Sequence, residues 1–246
     1  FYRDYRFSVQ LASLVFTSKS AFDSNVSLDS YLSWLDLKAP DSKSFKKKSI
    51  NSDGFMVMNI DSSLLLYKYP EFKFRPSQED GMHIDLWVNG RNILRDSGTY
   101  SYLPSKNLNY FSSPLGHNSI QFDNSPQMPR LGKFLYGDWP ASNIYKSVVE
   151  HKEYSEFGAR YSDYRGCEHK RGIKLFSKKL EIRDEVNNFN EIATVRWHIE
   201  PGQWSISGNK ISKGDLLFEI NSDTNISDIR IVRGLESQFY MNKNDI

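Results

Sequence analysis

The chain has 246 residues, with 32 Lys and Arg against 30 Asp and Glu and a formal net charge of +2, which excludes the basic excess of a nucleic-acid binder. Hydrophobic residues at 39% and charged residues at 25% exclude a disordered chain, while 14% aromatics favour β architecture or a carbohydrate-facing surface. One cysteine, Cys167, excludes a disulfide framework and a multi-cysteine zinc module, and no apolar run nears the roughly 20 residues of a membrane span.

The chain opens Phe1-Tyr2-Arg3-Asp4, with neither an initiator methionine nor a signal-peptide pattern, and reads as a portion of a longer protein. From residue 1 to about 39, apolar residues recur at helical spacing. Phe7, Leu11, Leu14 and Val15 make one stripe, and Leu28, Tyr31, Leu32 and Leu35 make another behind a Ser27 cap, which predicts a helical hairpin. The turn-rich, charged stretch 38–48 then reads as a boundary loop, and its Lys46-Lys47-Lys48 run as a solvated surface rather than an anion patch. Residues 1–48 are therefore a helical segment with its linker, and residues 49–246 a second domain.

Beyond Ser49 the rhythm changes to period two. Strands are predicted at 55–60, 63–69, 82–88, 92–95, 117–122, 144–150, 156–164, 173–176, 180–186, 193–200, 204–211, 216–220 and 229–232. Turn formers lie among them: Asn89-Gly90, Asn187-Asn188, Pro201-Gly202, Gly208-Asn209 and Lys213-Gly214-Asp215. The result is a mainly β fold: a large antiparallel β-sandwich preceded by a short helical segment. Segments 102–116 and 124–129 are irregular and long enough to be functional loops.

In the hairpin 82–96, His83, Asp85 and Trp87 alternate with Met82, Ile84, Leu86 and Val88. A face carrying imidazole, carboxylate and indole suits a sugar, through ring stacking and hydroxyl hydrogen bonds; on composition alone a solvated outer face with a partly packed Trp87 is the favoured reading. Here the sequence resembles a known family. Gly81 to Tyr102, with its Asn89-Gly90 turn and its Asp96-Ser97-Gly98-Thr99-Tyr100 element, is similar to the central signature of the heparinase II/III-like family. Tyr110-Phe111, His117-Asn118-Ser119 and Gln127 follow in the family's order, as do 150–154, His169-Lys170-Arg171 and the strand 180–186. Met128 to Phe134 and Gly137-Asp138-Trp139 look like the branch encoded with bacterial surface-polysaccharide genes.

The resemblance implies a polysaccharide lyase made of an α/α toroid and a C-terminal β-sandwich, with residues 1–48 as the end of the toroid. It implies β-elimination on an acidic, uronate-containing polysaccharide, in which a base takes the C5 proton and an acid protonates the departing O4. It implies a periplasmic or secreted bacterial address, with a cytoplasmic one as the alternative, and no membrane span. It implies a zinc ion as well, and two ligand positions carry over, Asp96 and His117. Where relatives have a His-x-His-x-Asp run, this chain reads Pro76-Ser77-Gln78-Glu79-Asp80. Gln78 thus stands at the third ligand and Pro76 at a catalytic histidine, and His83 is the nearest replacement nitrogen.

The expected site is therefore His117 as the catalytic residue, His83, Asp85, Tyr110 and Arg130 on substrate, and Asp96 with His117 on metal. A buried Asp96–His117 pair that only stabilises the sandwich is the rival reading. His151, His169 and His198 read as structural, and Cys167 as inert. On this reading the chain folds alone but is inactive without the toroid. The rival function is a catalytically degenerate, carbohydrate-binding sandwich of a surface-polysaccharide biosynthesis protein.

Overall fold

The computed structural model describes residues 5–22, 32–38, 49–103, 108–132 and 135–246. The chain divides into two compact units, Phe1–Lys48 and Ser49–Ile246, each taken by itself below.

In the first unit α1 (Arg6–Thr17) ends at Ser18, which takes a left-handed conformation and donates its amide to Leu14 O. Leu14 turns inward as expected, but Val15 is 58% exposed, so the apolar stripe is narrower than its spacing predicts. Gln10 takes the buried place instead, its Oε1 accepting the Ala21 and Phe22 amides at 2.9 and 3.2 Å. Residues Leu32–Leu35 form a 3-10 turn with Leu32 buried. The rest of the expected second helix, and Lys46 to Lys48, lie outside the described residues.

The second unit begins with an antiparallel meander of β1 (Ile50–Ser52), β2 (Phe55–Ile60), β3 (Ser63–Lys68), β4 (Ile84–Val88) and β5 (Arg91–Leu94). Asn89 and Gly90 join β4 to β5 with φ of 51° and 76°, the positive pair that a two-residue hairpin turn requires. Two short pieces follow, β6 (Ile120–Phe122) and the pair β7 (Arg130–Gly132) and β8 (Leu135–Tyr136). The second large sheet holds β9 (Ser142–Glu150), β10 (Tyr154–Ser162), β11 (Glu168–Phe176) and β12 (Leu180–Asn187), each antiparallel to the next. Then β13 (Ala193–Val195) returns to pair with β6, β14 (Ser205–Ser207), β15 (Lys210–Lys213) and β16 (Leu216–Glu219) make a small sheet, and β17 (Leu235–Glu236) pairs with β18 (Asn244–Asp245).

Alternation makes this a sandwich. Met56, Met58, Leu65, Tyr67, Ile84 and Leu86 of the first sheet share one core with Phe157, Ala159, Tyr161, Ile173 and Leu175 of the second. Each large aliphatic or Phe side chain among them contributes roughly 1.5–3 kcal/mol of transfer free energy. Arg171 occupies an inward position on β11, where the pattern calls for an apolar residue.

Three expectations need correction. The predicted strand 229–232 has no regular structure, and the predicted strand 204–211 is split by the Gly208-Asn209 turn into β14 and β15. The period-two reading of 82–88 also fails at its start. Met82 has φ 65°, β4 begins at Ile84, and Met82 and His83 are both buried. His83 is therefore part of a buried loop and not of an outer sheet face.

Candidate functional site

Three chain segments meet beside the end of the first sheet: 78–83 leading into β4, 96–98 leaving β5, and 116–118 leading into β6. The last follows α2 (Leu108–Ser112) and a 3-10 turn at Pro114–Gly116. Asp96 Oδ1 accepts the Gly98 amide at 2.6 Å, which closes a tight turn. Gly98 has φ +85°, and a Cβ there would stand 2.2 Å from Ser237 O, so both backbone and space demand glycine.

The turn aims Asp96 Oδ2 at two imidazoles. His117 Nδ1 lies 2.9 Å from it and His83 Nε2 3.6 Å, and the two rings meet edge to face at 5.5 Å. His83, Asp96 and His117 each bring a ligand-type atom within 4.8 Å of the others. His83 Nδ1 accepts the Asn118 backbone N–H at 3.0 Å, so its proton sits on Nε2, facing Asp96. Burial pushes the His83 pKa down to about 4, leaving it neutral. For His117 burial pulls the same way, but the Asp96 charge and hydrogen bond win and raise its pKa. Burial opposes ionisation of Asp96, and the two histidines and the Gly98 amide overcome it, holding the carboxyl well below its ordinary value.

Within this cluster Asp96 carries the accessible surface, with 35% of its side chain exposed, whereas that of His117 is fully buried. His117, expected as the catalytic residue, thus stands behind Asp96, and its Nε2 is buried with no hydrogen-bond partner among the described residues. Asp85, half-buried, accepts from Asn92 Nδ2 at 2.9 Å and from the Asp96 amide, and burial raises its pKa to about 6. It stands beside the cluster. Gln78 does not point to it: its Nε2 donates to Gly98 O and Phe111 O, each at 3.3 Å, bracing the loops.

Tyr110 and Arg130 are not drawn in. The Tyr110 hydroxyl accepts the Leu235 amide at 3.0 Å and sits 3.3 Å from His198 Nε2. Arg130 donates to Ser112 Oγ at 3.3 Å and lies over the Tyr136 ring. His169 Nε2 is hydrogen-bonded to Asp184 at 2.7 Å while burial lowers the ring's pKa, and Cys167 is a buried thiol whose pKa burial raises.

Sequence reasoning missed Glu79. It is buried, accepts the Gln127 amide at 2.6 Å, and burial pushes its pKa up to about 7 despite that bond and nearby Arg130 and His117. Its place in the Pro76-to-Asp80 run was readable; its burial was not. Because the folded pKa lies above the unfolded one, Glu79 favours the fold fully below about pH 4.5 and progressively less as pH rises through about 7. Urea unfolding is expected to show roughly 3 kcal/mol of this loss in the wild type between those limits, and a flatter profile in Glu79→Gln. Identical profiles would mean that Glu79 does not titrate in this range.

A family model described as "Heparinase II/III-like, C-terminal" matches residues 43–238. Among solved structures, a heparinase III gene product aligns with 16% identity and a TM-score of 0.67, over 89% of this chain and 36% of that one. The heparan sulfate lyase HepC from Pedobacter heparinus aligns with 15% identity and a TM-score of 0.63, over 98% of this chain and 38% of that one. A further heparinase III gives 14% identity and a TM-score of 0.60, over 83% and 34%. The chain thus spans little more than a third of the length of these proteins. No curated protein sequence matches it.

Proposed function

Because the chain belongs to the heparinase II/III-like family, whose C-terminal domain it contains, we propose that it is the sandwich of a polysaccharide lyase acting on an acidic, uronate-containing polymer. The observation that supports this reading best is the partly exposed Asp96 carboxylate, fixed by the Gly98 amide and two buried imidazoles. A carboxylate held ionised is a poor base but a strong acceptor for sugar hydroxyls. In the proposed elimination the C5–H and C4–O4 bonds break and C4=C5 forms, a base taking the C5 proton and an acid delivering one to O4. Asp96 and its neighbour Asp85 orient the sugar ring, His117 holds Asp96 from behind, and Tyr110 and Arg130 border the polymer. The proton-transfer groups belong to a helical toroid outside this chain, and a bacterial periplasmic or secreted address suits such a polymer; no helix among the described residues is long and apolar enough to cross a membrane.

Zinc, which the resemblance implies, does not fit the cluster as it is hydrogen-bonded. A neutral imidazole ligates through the nitrogen that carries no proton, and on His83 that nitrogen is occupied by the Asn118 N–H. No step is therefore routed through a metal. A second reading, a binding sandwich without chemistry from a surface-polysaccharide protein, draws on Pro76 and Gln78 and on the full burial of His117.

The test follows unsaturated uronate by ultraviolet absorbance, with the full-length protein on alginate, heparan-type, hyaluronan-type and bacterial capsular polymers. Product is expected on at least one polymer, unaffected by a chelator and lowered about tenfold or more in His117→Ala, which unseats Asp96. Binding without product on any polymer would establish the second reading, and loss of activity restored by zinc would make the cluster a metal site.

A further inference from the structure

We propose that the outer face of the β9–β12 sheet carries a second carbohydrate site, a groove that takes one uncharged, hydroxyl-bearing sugar unit between Arg160 and Glu168. The choice of a sugar rests on the polysaccharide reading above; the site itself needs no elimination chemistry.

Alternation decides which side chains face this groove. On β10 the exposed Arg160 and Ser162 flank the buried Tyr161, and on β11 Glu168 and Lys170 flank the buried His169. The inward set of β11 leads to the Asp96 cluster, since Arg171, next after His169 on that side, donates to Met82 O and Asn118 O. Arg160 and Lys170 therefore point away from the cluster, and a groove on their side is a separate site.

Register then lines these side chains up across four strands. Arg160 pairs with Asn143 of β9 and with Lys170 of β11, and Lys170 with Glu185 of β12. One step along, Ser162 pairs with Glu168, and Glu168 with Asn187. Opposed residues on one face stand about 5 Å apart. The two rows line a groove of about 440 Å³, within the size range of small-ligand sites.

The row beside Arg160 and Lys170 is a pair of opposed glycines, Gly158 and Gly172, a weak choice inside two central strands. They make room for Tyr145: a Cβ on Gly172 would stand 2.6 Å from its hydroxyl oxygen. The Tyr145 ring covers that row and lies 4.7 Å from Lys170 Nζ, which Glu185 also holds at 3.0 Å. Lys170 is thus fixed and its charge matched.

The other groups are not spent on one another. Asn143, Arg160, Ser162, Glu168 and Asn187 make no side-chain hydrogen bond or ion pair among the described residues. A guanidinium, two amides, a hydroxyl and a carboxylate therefore stand free along one groove, whose two cations and two carboxylates cancel. Sugar hydroxyls both donate and accept, so they need this mixture of partners, and a guanidinium or a carboxylate can meet two neighbouring hydroxyls at once. A uronate or sulfate would gain Arg160 but face Glu168 and Glu185, which favours an uncharged unit.

The experiment is calorimetric titration of the full-length protein with neutral oligosaccharides of dextran, cellulose, mannan and N-acetylglucosamine type, and with an alginate-type uronate oligosaccharide. At least one neutral sugar is expected to bind, and Arg160→Ala and Glu168→Ala each to weaken it about tenfold or more. Arg160→Lys, which keeps the charge and loses the fork, is expected to weaken it as well. Both alanine changes fall on exposed side chains without partners, so Tm is expected to stay unchanged. No neutral sugar bound by the wild type, affinity indifferent to both alanine variants, or a clear fall in Tm would each overturn the proposal. A uronate bound more tightly than every neutral sugar, and through Arg160, would overturn the uncharged ligand. Arg160-dependent neutral binding without uronate product from any acidic polymer would keep this site and remove the lyase; uronate product with no neutral sugar bound would do the reverse.

Discussion

Replacing Arg171 by Met is expected to cost about 3–5 kcal/mol, the range measured when one partner of a buried ion pair is removed, and so a large share of the fold's stability. Arg171 is fully buried on β11 and grips Asp184 of β12 with two bonds, Nε at 2.6 Å and Nη2 at 2.9 Å. Its Nη1 donates to Met82 O at 2.6 Å and Asn118 O at 2.8 Å, and its guanidinium lies 4.9 Å from the Trp197 ring. Met fills much of the volume but leaves Asp184 ionised in the core with His169, and two carbonyls without donors. Those carbonyls belong to the residues just before His83 and just after His117, so the cluster loosens with the fold. Urea unfolding checks the magnitude. The double variant Arg171→Met/Asp184→Leu is expected to recover most of the loss, since it removes the stranded charge with its partner. Both imidazole and guanidinium hold the Asp184 pKa well below its ordinary value. That contribution is present above the unfolded carboxyl's pKa and is lost as pH falls through the folded one, so the wild type should weaken in acid more steeply than the double variant. A single variant as stable as the wild type would refute this account.

Period two and turn chemistry made most of the sandwich legible. Met56, Met58 and Leu65 alternate inward as written in the sequence, and Asn89-Gly90 places its hairpin by the one geometry those residues favour. Where the reading failed, a non-local cause won. His83 reads as an outward strand residue, but the Asn118 amide and the Asp96 carboxylate, 35 and 13 residues away, pull it inside. Gln78 stands where the family resemblance implies a metal ligand, yet Gly98 and Phe111 carbonyls claim its amide. Arg171 and Glu79 look like ordinary surface charges in sequence, and what buries them is the pairing of two sheets and two loops. The Asp96–His117 pair was readable from motif order; the tautomer of His83, which decides what the cluster can bind, depended on one backbone hydrogen bond.

Asn118→Ala is expected to rival the Arg171 variant, at about 3–5 kcal/mol, because one amide side chain ties three strands' ends together. Its Nδ2 donates to Ile84 O at 2.7 Å and Arg95 O at 3.0 Å, and its Oδ1 accepts the His198 amide, all within a site where Asn118 has no exposed surface. Alanine strands two carbonyls and one N–H and opens a cavity, while the backbone bonds of residue 118 to His83 and Arg171 remain possible. The measured loss therefore belongs to the side chain. Asn118→Asp separates hydrogen bonding from volume. It keeps the size and the acceptor for His198 but turns a carboxylate oxygen toward two carbonyls, so at neutral pH it is expected to unfold at least as readily as Asn118→Ala. Its carboxyl pKa must rise, since burial and both carbonyls oppose the charge. Acidification should then restore part of the stability, the protonated carboxyl donating again to one carbonyl, whereas Asn118→Ala gains nothing of the kind. An Asp variant that loses stability in acid as the Ala variant does would show that volume, and not the paired carbonyls, sets the demand for asparagine at the centre of this site.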